Sequence, residues 1–167
     1  AITVDLAAEM LVIGGLAPSL DEARARLVAT LDDGRAAEVF GRMVAALGGP
    51  VDFVGKASTY LAKAPVVRPI FAASGGVVTA IDTRSIGLAV VELGGGRVRA
   101  SDPIDSAVGF TDLAGIGAVV GAGTPLAVVH AATDAAAERA AERIRAAYAL
   151  GEAAPLPHPL VADRIGA

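Results

Sequence analysis

Three glycines followed by two arginines, Gly94–Gly95–Gly96–Arg97–Val98–Arg99, form the stretch of this 167-residue chain best suited to meet a charged group. Glycine leaves backbone amides open to close approach, and a guanidinium donates paired hydrogen bonds to carboxylate or phosphate. The run lacks the G-x-G-x-x-G and G-x-x-x-x-G-K-[ST] spacings that wrap nucleotide phosphates, so direct nucleotide cradling is disfavoured. Two readings stand: a loop that braces a cleft as it closes, or a flexible connection with solvated arginines.

Other groups with chemical potential are placed less favourably. Asp102, Asp105 and Asp112 are spread too widely for one loop to converge oxygens on a hard cation, so turn and capping roles are expected and no metal site is assigned. His130 closes the apolar run Ala127–Val128–Val129 and reads as a structural hydrogen-bonder; His158 lies among Pro155, Pro157 and Pro159. Glu138, Arg139, Glu142, Arg143 and Arg145 decorate an alanine-rich helix and read as a solvated charged face. The only lysines are Lys56 and Lys63.

Composition narrows the class. The chain is 54 % apolar but only 4 % aromatic, without Trp, so its core is expected to consist of small side chains. A net charge of −4 with dispersed arginines disfavours nucleic-acid binding, which requires clustered cations. The absence of cysteine removes disulfides and thiolate metal sites. The uncharged run Leu113–Val129 is interrupted by Gly115, Gly117, Gly121, Gly123 and Pro125, so it reads as strand, turn and strand rather than a membrane span. A soluble protein without a signal peptide is expected.

The elements that would carry these residues follow from periodicity. Apolar positions predict a short helix over Ile2–Ile13, ended by Gly14–Gly15. Its start at the chain end without a cap suggests an element severed from something upstream. Ser19–Leu20–Asp21–Glu22 has the form of a capping box opening a second helix that stops at Gly34. A third helix carries Val39, Phe40, Met43, Val44 and Leu47 and ends at Gly48–Gly49–Pro50; residues 51–63 read as short helical turns. Val66–Phe71 reads as a strand whose Pro69 demands an edge or a bulge. Gly75–Gly76 turns into a strand over Val77–Ile81, and Asp82 caps a helix through Val91 that the three glycines end. A polar loop, Arg97–Asp105, leads to a short strand near Ala107–Phe110, and Gly121–Pro125 is expected to turn between two further strands, the second ending at His130. Asp134 is expected to cap a long helix reaching Leu150, with Ile144, Tyr148 and Leu150 available for burial.

Three blocks carry a resemblance: Leu31–Ala46 (LDDGRAAEVFGRMVAA), Ile81–Arg97 (IDTRSIGLAVVELGGGR) and Asp102–Asp112 (DPIDSAVGFTD). In order and spacing they resemble the thymidine phosphorylase, or pyrimidine nucleoside phosphorylase, family, over roughly the last two-fifths of a member. The resemblance implies an α/β protein. Helices from the end of a large α/β domain would occupy residues 1–64, and a C-terminal α+β domain, a barrel-sandwich-like unit of short strands and two helices, residues 65–167. It also implies reversible phosphorolysis, thymidine plus phosphate giving thymine and 2-deoxyribose 1-phosphate in cytoplasmic pyrimidine salvage. Phosphate is a co-substrate and no cofactor is required. The implied partners are the upstream part of the same enzyme and, through it, the pyrimidine deoxynucleoside and phosphate; members are homodimers, with neither nucleic acid nor membrane as a partner.

The family's Lys-His-Ser-Thr-Gly-Gly phosphate loop and its pyrimidine-contacting Arg, Ser and Lys have no counterparts in these residues, so no catalytic or substrate-binding residue is carried over. The segment is expected to be structural, to help close the cleft through Gly94, Gly95, Gly96, Arg97 and Arg99, and to be inactive alone. Two other classes compete. One is a biotinyl- or lipoyl-type carrier, suggested by Gly75–Val78 and Val119–Val129 but lacking a lysine over Thr79–Thr83, where such a tip would fall. The other is a free-standing interaction domain derived from the phosphorylase.

Overall fold

A computed structural model describes residues 2–157, 159 and 161–165. They form two compact units, one of residues 2–60 with 159 and 161–165, the other of residues 61–157.

The first unit is helical. Helix α1 spans Ile2–Ile13 and α2 spans Leu20–Asp32, and the two pack on Ala8, Ala17 and Ala23, all buried. Alanine at these three positions lets the backbones approach closely, with Leu11, Val12, Leu20 and Leu27 filling the margins. Gly15, at φ 68°, takes the left-handed turn after α1 that a side chain would resist. Ser19 caps α2 by accepting the Glu22 amide, as its sequence predicts. The Glu22 carboxylate pairs with Arg26 one turn along, a competing partner for the reach back to the cap. Helix α3 spans Arg35–Ala46 and buries none of its side chains. The short α4, Phe53–Tyr60, meets it through Phe40 and Phe53, whose ring centroids lie 6.2 Å apart.

The second unit is built on two three-stranded antiparallel sheets. Strand β1 is Val66–Ile70, β2 Gly76–Ile81, β3 Gly109–Thr111, β4 Val119–Val120, β5 Ala127–Ala131 and β6 Tyr148–Gly151. One sheet has the order β1-β5-β3 and the other β4-β2-β6. Pro69 sits on β1 at an edge, where its missing N–H costs no ladder bond. Helix α5, Thr83–Val90, follows β2; helix α6, Asp134–Ala147, packs against β1, β5 and α5.

The core of this unit has the small-residue character that composition predicts. Ile70, Val78, Leu126, Val129 and Ile144 are its largest fully buried side chains, and alanines 127, 131, 137, 140, 141 and 147 fill much of the rest. Alternation places Ala127, Val129 and Ala131 of β5 inward beneath α6.

The expected turn between two strands is present at Gly121–Thr124, and it carries the chain from one sheet to the other: β4 joins β2 while β5 joins β1 and β3. Two expectations require correction. Helix α6 stops at Ala147, and Tyr148–Gly151 forms a strand on β2, because the Val77–Ile81 edge supplies ladder partners that outweigh further helix. The cap of α6 is Thr133, whose hydroxyl accepts the Ala136 amide, and Asp134 becomes the first helical residue, suited to the positive end of the dipole.

Candidate functional site

The loop around the glycines is positioned by α5. Asp82 caps that helix with both carboxylate oxygens, accepting the Ser85 amide at 3.0 Å and the Ser85 hydroxyl at 2.7 Å. These bonds hold the Asp82 carboxyl below its ordinary value, the backbone amide of Ser85 being the largest cause. The helix then widens into a π-type turn over Val91–Gly95, which inserts the buried Leu93 into the core. Gly94, at φ 98°, reverses the chain. A Cβ on Gly95 would lie 2.9 Å from Val90 Cγ1 and 3.3 Å from the Val108 carbonyl oxygen, and one on Gly96 would lie 2.7 Å from Val91 Cγ2. The three glycines therefore permit a tight turn, and their role is steric.

Beyond them the chain folds on Asp102. Its Oδ2 accepts the amides of Val98 at 3.1 Å and Arg99 at 2.7 Å, and its own amide donates to the Arg99 carbonyl at 3.0 Å. Arg97 Nε donates to the Asp102 carbonyl at 3.2 Å. The loop closes where it began, with the Asp105 amide donating to the Gly94 carbonyl at 2.9 Å. The expectation of two comparable guanidiniums is thus refined: Arg97 turns inward on its own loop, while the Arg99 side chain has no hydrogen-bond or ion-pair partner among the described residues.

The three aspartates serve separate turns. Asp102 holds the loop just described, Asp105 Oδ1 accepts the Ala107 amide at 2.9 Å, and Asp112, at φ 52°, accepts the Thr111 hydroxyl at 3.2 Å. His130 Nε2 lies 3.0 Å from Thr111 Oγ1, joining β5 to β3. His158 falls outside the described residues.

The charged face of α6 does more than meet solvent. Arg143 pairs with Glu92 of the π turn at 2.8 Å, Glu138 with Arg68 of β1 at 2.7 Å, and Arg145 Nε donates to the Phe71 carbonyl at 3.1 Å. Arg145 also approaches Glu138 two turns back on the same helix at 3.7 Å, whereas the ties to distant segments could not be read from spacing on α6. In the helical unit a groove of about 630 Å³ has an apolar floor that includes Leu6, Ile13 and Leu20. The charges on its rim are answered internally, Arg24 by Asp5 and Arg164 by Glu9.

The carrier reading places its hairpin tip over Thr79–Thr83, where the structure has none. Strand β2 runs through Ile81 and α5 begins at Thr83, so the segment ends in a helix cap instead of an exposed hairpin tip. Asp102 is the residue that sequence reading undervalued. It was legible as a turn former; its convergence on two preceding amides and on Arg97 depends on the reversal at Gly94.

Two small antiparallel sheets with α5 and α6, joined through a glycine-ended helix and a self-bonded loop, define a mixed α/β unit. Residues 77–151 match the family model for the pyrimidine nucleoside phosphorylase C-terminal domain. The matched span runs from β2 through β6 and includes the whole 94–105 loop.

Proposed function

We propose that this chain acts as the closing part of a thymidine phosphorylase, a pentosyltransferase converting thymidine and phosphate to thymine and 2-deoxyribose 1-phosphate in cytoplasmic pyrimidine salvage. The match of residues 77–151 to the family's C-terminal domain carries this reading. In the reaction a phosphate oxygen bonds to C1′ as the bond from C1′ to the base nitrogen breaks, and the base departs with the bonding pair. Such a step needs cations and amides around the phosphate and donors on the departing base. The family's phosphate-loop and pyrimidine-contact motifs have no counterpart in these residues, and on this reading those donors come from the upstream part of the enzyme.

The role of these residues is to support that upstream part and to brace the cleft through Gly94–Arg99. Exposed apolar side chains on the first helices are consistent with a larger partner: Met10 is 72 % exposed, Val39 55 % and Met43 49 %. Amphipathic helices ordinarily bury such a face. The same upstream part would supply the dimer contacts, and phosphate would be consumed as a co-substrate without a further cofactor.

The test is phosphorolysis of thymidine followed by its ultraviolet change. The 167-residue chain alone is expected to give no turnover, and the polypeptide that continues upstream of it to give phosphate-dependent turnover. Phosphate-dependent turnover by the chain alone would overturn the assignment of its role, and a full-length enzyme inactive on every pyrimidine nucleoside would overturn the reaction.

A further inference from the structure

The 94–105 loop is exposed along most of its length, yet its bonds converge on one residue. Asp102 is half-buried, and its amide, carbonyl and carboxylate all engage residues 97–99. Two consecutive amides, of Val98 and Arg99, share a single carboxylate oxygen. Consecutive amides pointing into one concavity are a common way to hold an anion; here the anion is internal and the concavity is filled. A charged acceptor strengthens both bonds relative to a neutral one. The second closure, from the Asp105 amide to the Gly94 carbonyl, fixes the loop's base at the left-handed glycine.

We infer that Asp102 is a positioning residue that prefolds the 94–105 loop into a fixed tip, braced from within by Arg97 and presenting Arg99 outward. The tip's use in cleft closure rests on the function proposed above; its prefolding is a property of this chain by itself. The two arginines consequently have different jobs. Arg97 spends its Nε on the loop's own backbone, whereas Arg99, beside the 81 % exposed Val98, is held at the surface with its guanidinium directed to no partner among the described residues. A prefolded tip meets its counterpart without first losing backbone freedom, which favours a fast and reversible contact.

Amide hydrogen exchange on the 167-residue chain, read residue by residue by nuclear magnetic resonance, tests this directly. The Val98 and Arg99 amides are expected to exchange at least roughly tenfold more slowly than those of Ala100 and Ser101. Asp102→Ala should abolish that protection and also release the Asp105 amide, while Asp102→Asn, which keeps an acceptor oxygen, should retain part of it. Arg97→Ala should loosen the loop, and Arg99→Ala should leave it unchanged. Amides of Ala127–Ala131 report global unfolding and should hold constant throughout. Fast exchange at Val98 and Arg99 in the unmodified chain, continued protection in Asp102→Ala, or equal loosening by both arginine substitutions overturns the inference. None of these outcomes bears on phosphorolysis, so a failure here is separable from a failure of the functional reading.

Discussion

Tyr148, the first residue of β6, donates its hydroxyl to the carbonyl oxygen of Ala114 at 3.0 Å, tying the strand that follows α6 to the loop that precedes β4. The ring is 8 % exposed, and burial holds its phenol above the ordinary tyrosine value. Tyr148→Phe keeps the ring's packing and removes the bond, so a loss of about 1 kcal/mol is expected, read as a lower urea midpoint at unchanged m-value. The pH dependence has a definite sign. The folded chain retains the phenolic proton better than the unfolded one, so stability is complete below about pH 10 and falls as pH rises through the folded value. Denaturation curves collected across that alkaline range should show the decline in the unmodified chain and a weaker one in Tyr148→Phe.

Asp82 governs the opposite end of the pH scale. Its folded value is lowered by the Ser85 bonds, so its contribution is complete above the unfolded value of 3.8 and fades as pH falls through the folded one. Asp33 beside Arg35 and Asp52 beside Lys56 are lowered as well and share the acid decline. The diagnostic quantity is therefore a difference. Asp82→Ala should be less stable than the unmodified chain at pH 6, and the gap should narrow as the solution is acidified towards pH 2. A gap of constant size would contradict a carboxylate cap.

The glycines within α5 and just beyond it should respond in opposite directions. Gly87 lies within α5 with nothing near a prospective Cβ, so Gly87→Ala should raise stability by about 0.8–1 kcal/mol through helix propensity alone. Gly94, at φ 98°, should lose about 1–2 kcal/mol on the same change, since a left-handed backbone opposes a side chain. Thermal melts of the two single variants, compared side by side, check both signs at once.

Ile144 is fully buried on the face of α6 that meets the sheet. Ile144→Ala combines lost transfer energy with a cavity, and about 2–5 kcal/mol is expected. The loss should appear in the transition that reports residues 61–157. A variant melting within about 1 °C of the parent would mean that α6 does not pack as described.

Much of this architecture is written locally. The first helix was legible from Leu6, Met10 and Ile13 against Gly14–Gly15, and the edge position of β1 from Pro69, because each depends on residues a few positions apart. The departures occur where distant segments compete with local preference. Tyr148–Ala149–Leu150 continues an alanine-rich helical pattern, and only the presence of Val77–Ile81 alongside converts it to strand. Strands β4 and β5 resemble a hairpin because Gly121–Thr124 is a good turn, yet each finds its ladder elsewhere. In the candidate site the glycines and arginines were visible as types, whereas the division between an inward Arg97 and an outward Arg99 is created by Asp102 and by the reversal at Gly94.

The pairing pattern also sets a timetable. Every ladder skips over intervening strands: β1 waits for β5, β3 for β5, and β2 for β4 and then β6. During synthesis neither sheet can be completed until the last quarter of the sequence has emerged, whereas α1 and α2 can coil together as soon as they exist. Nascent residues 61–126 thus pass through an interval with unmet edges, in which β-rich segments are most exposed to chaperones and to one another.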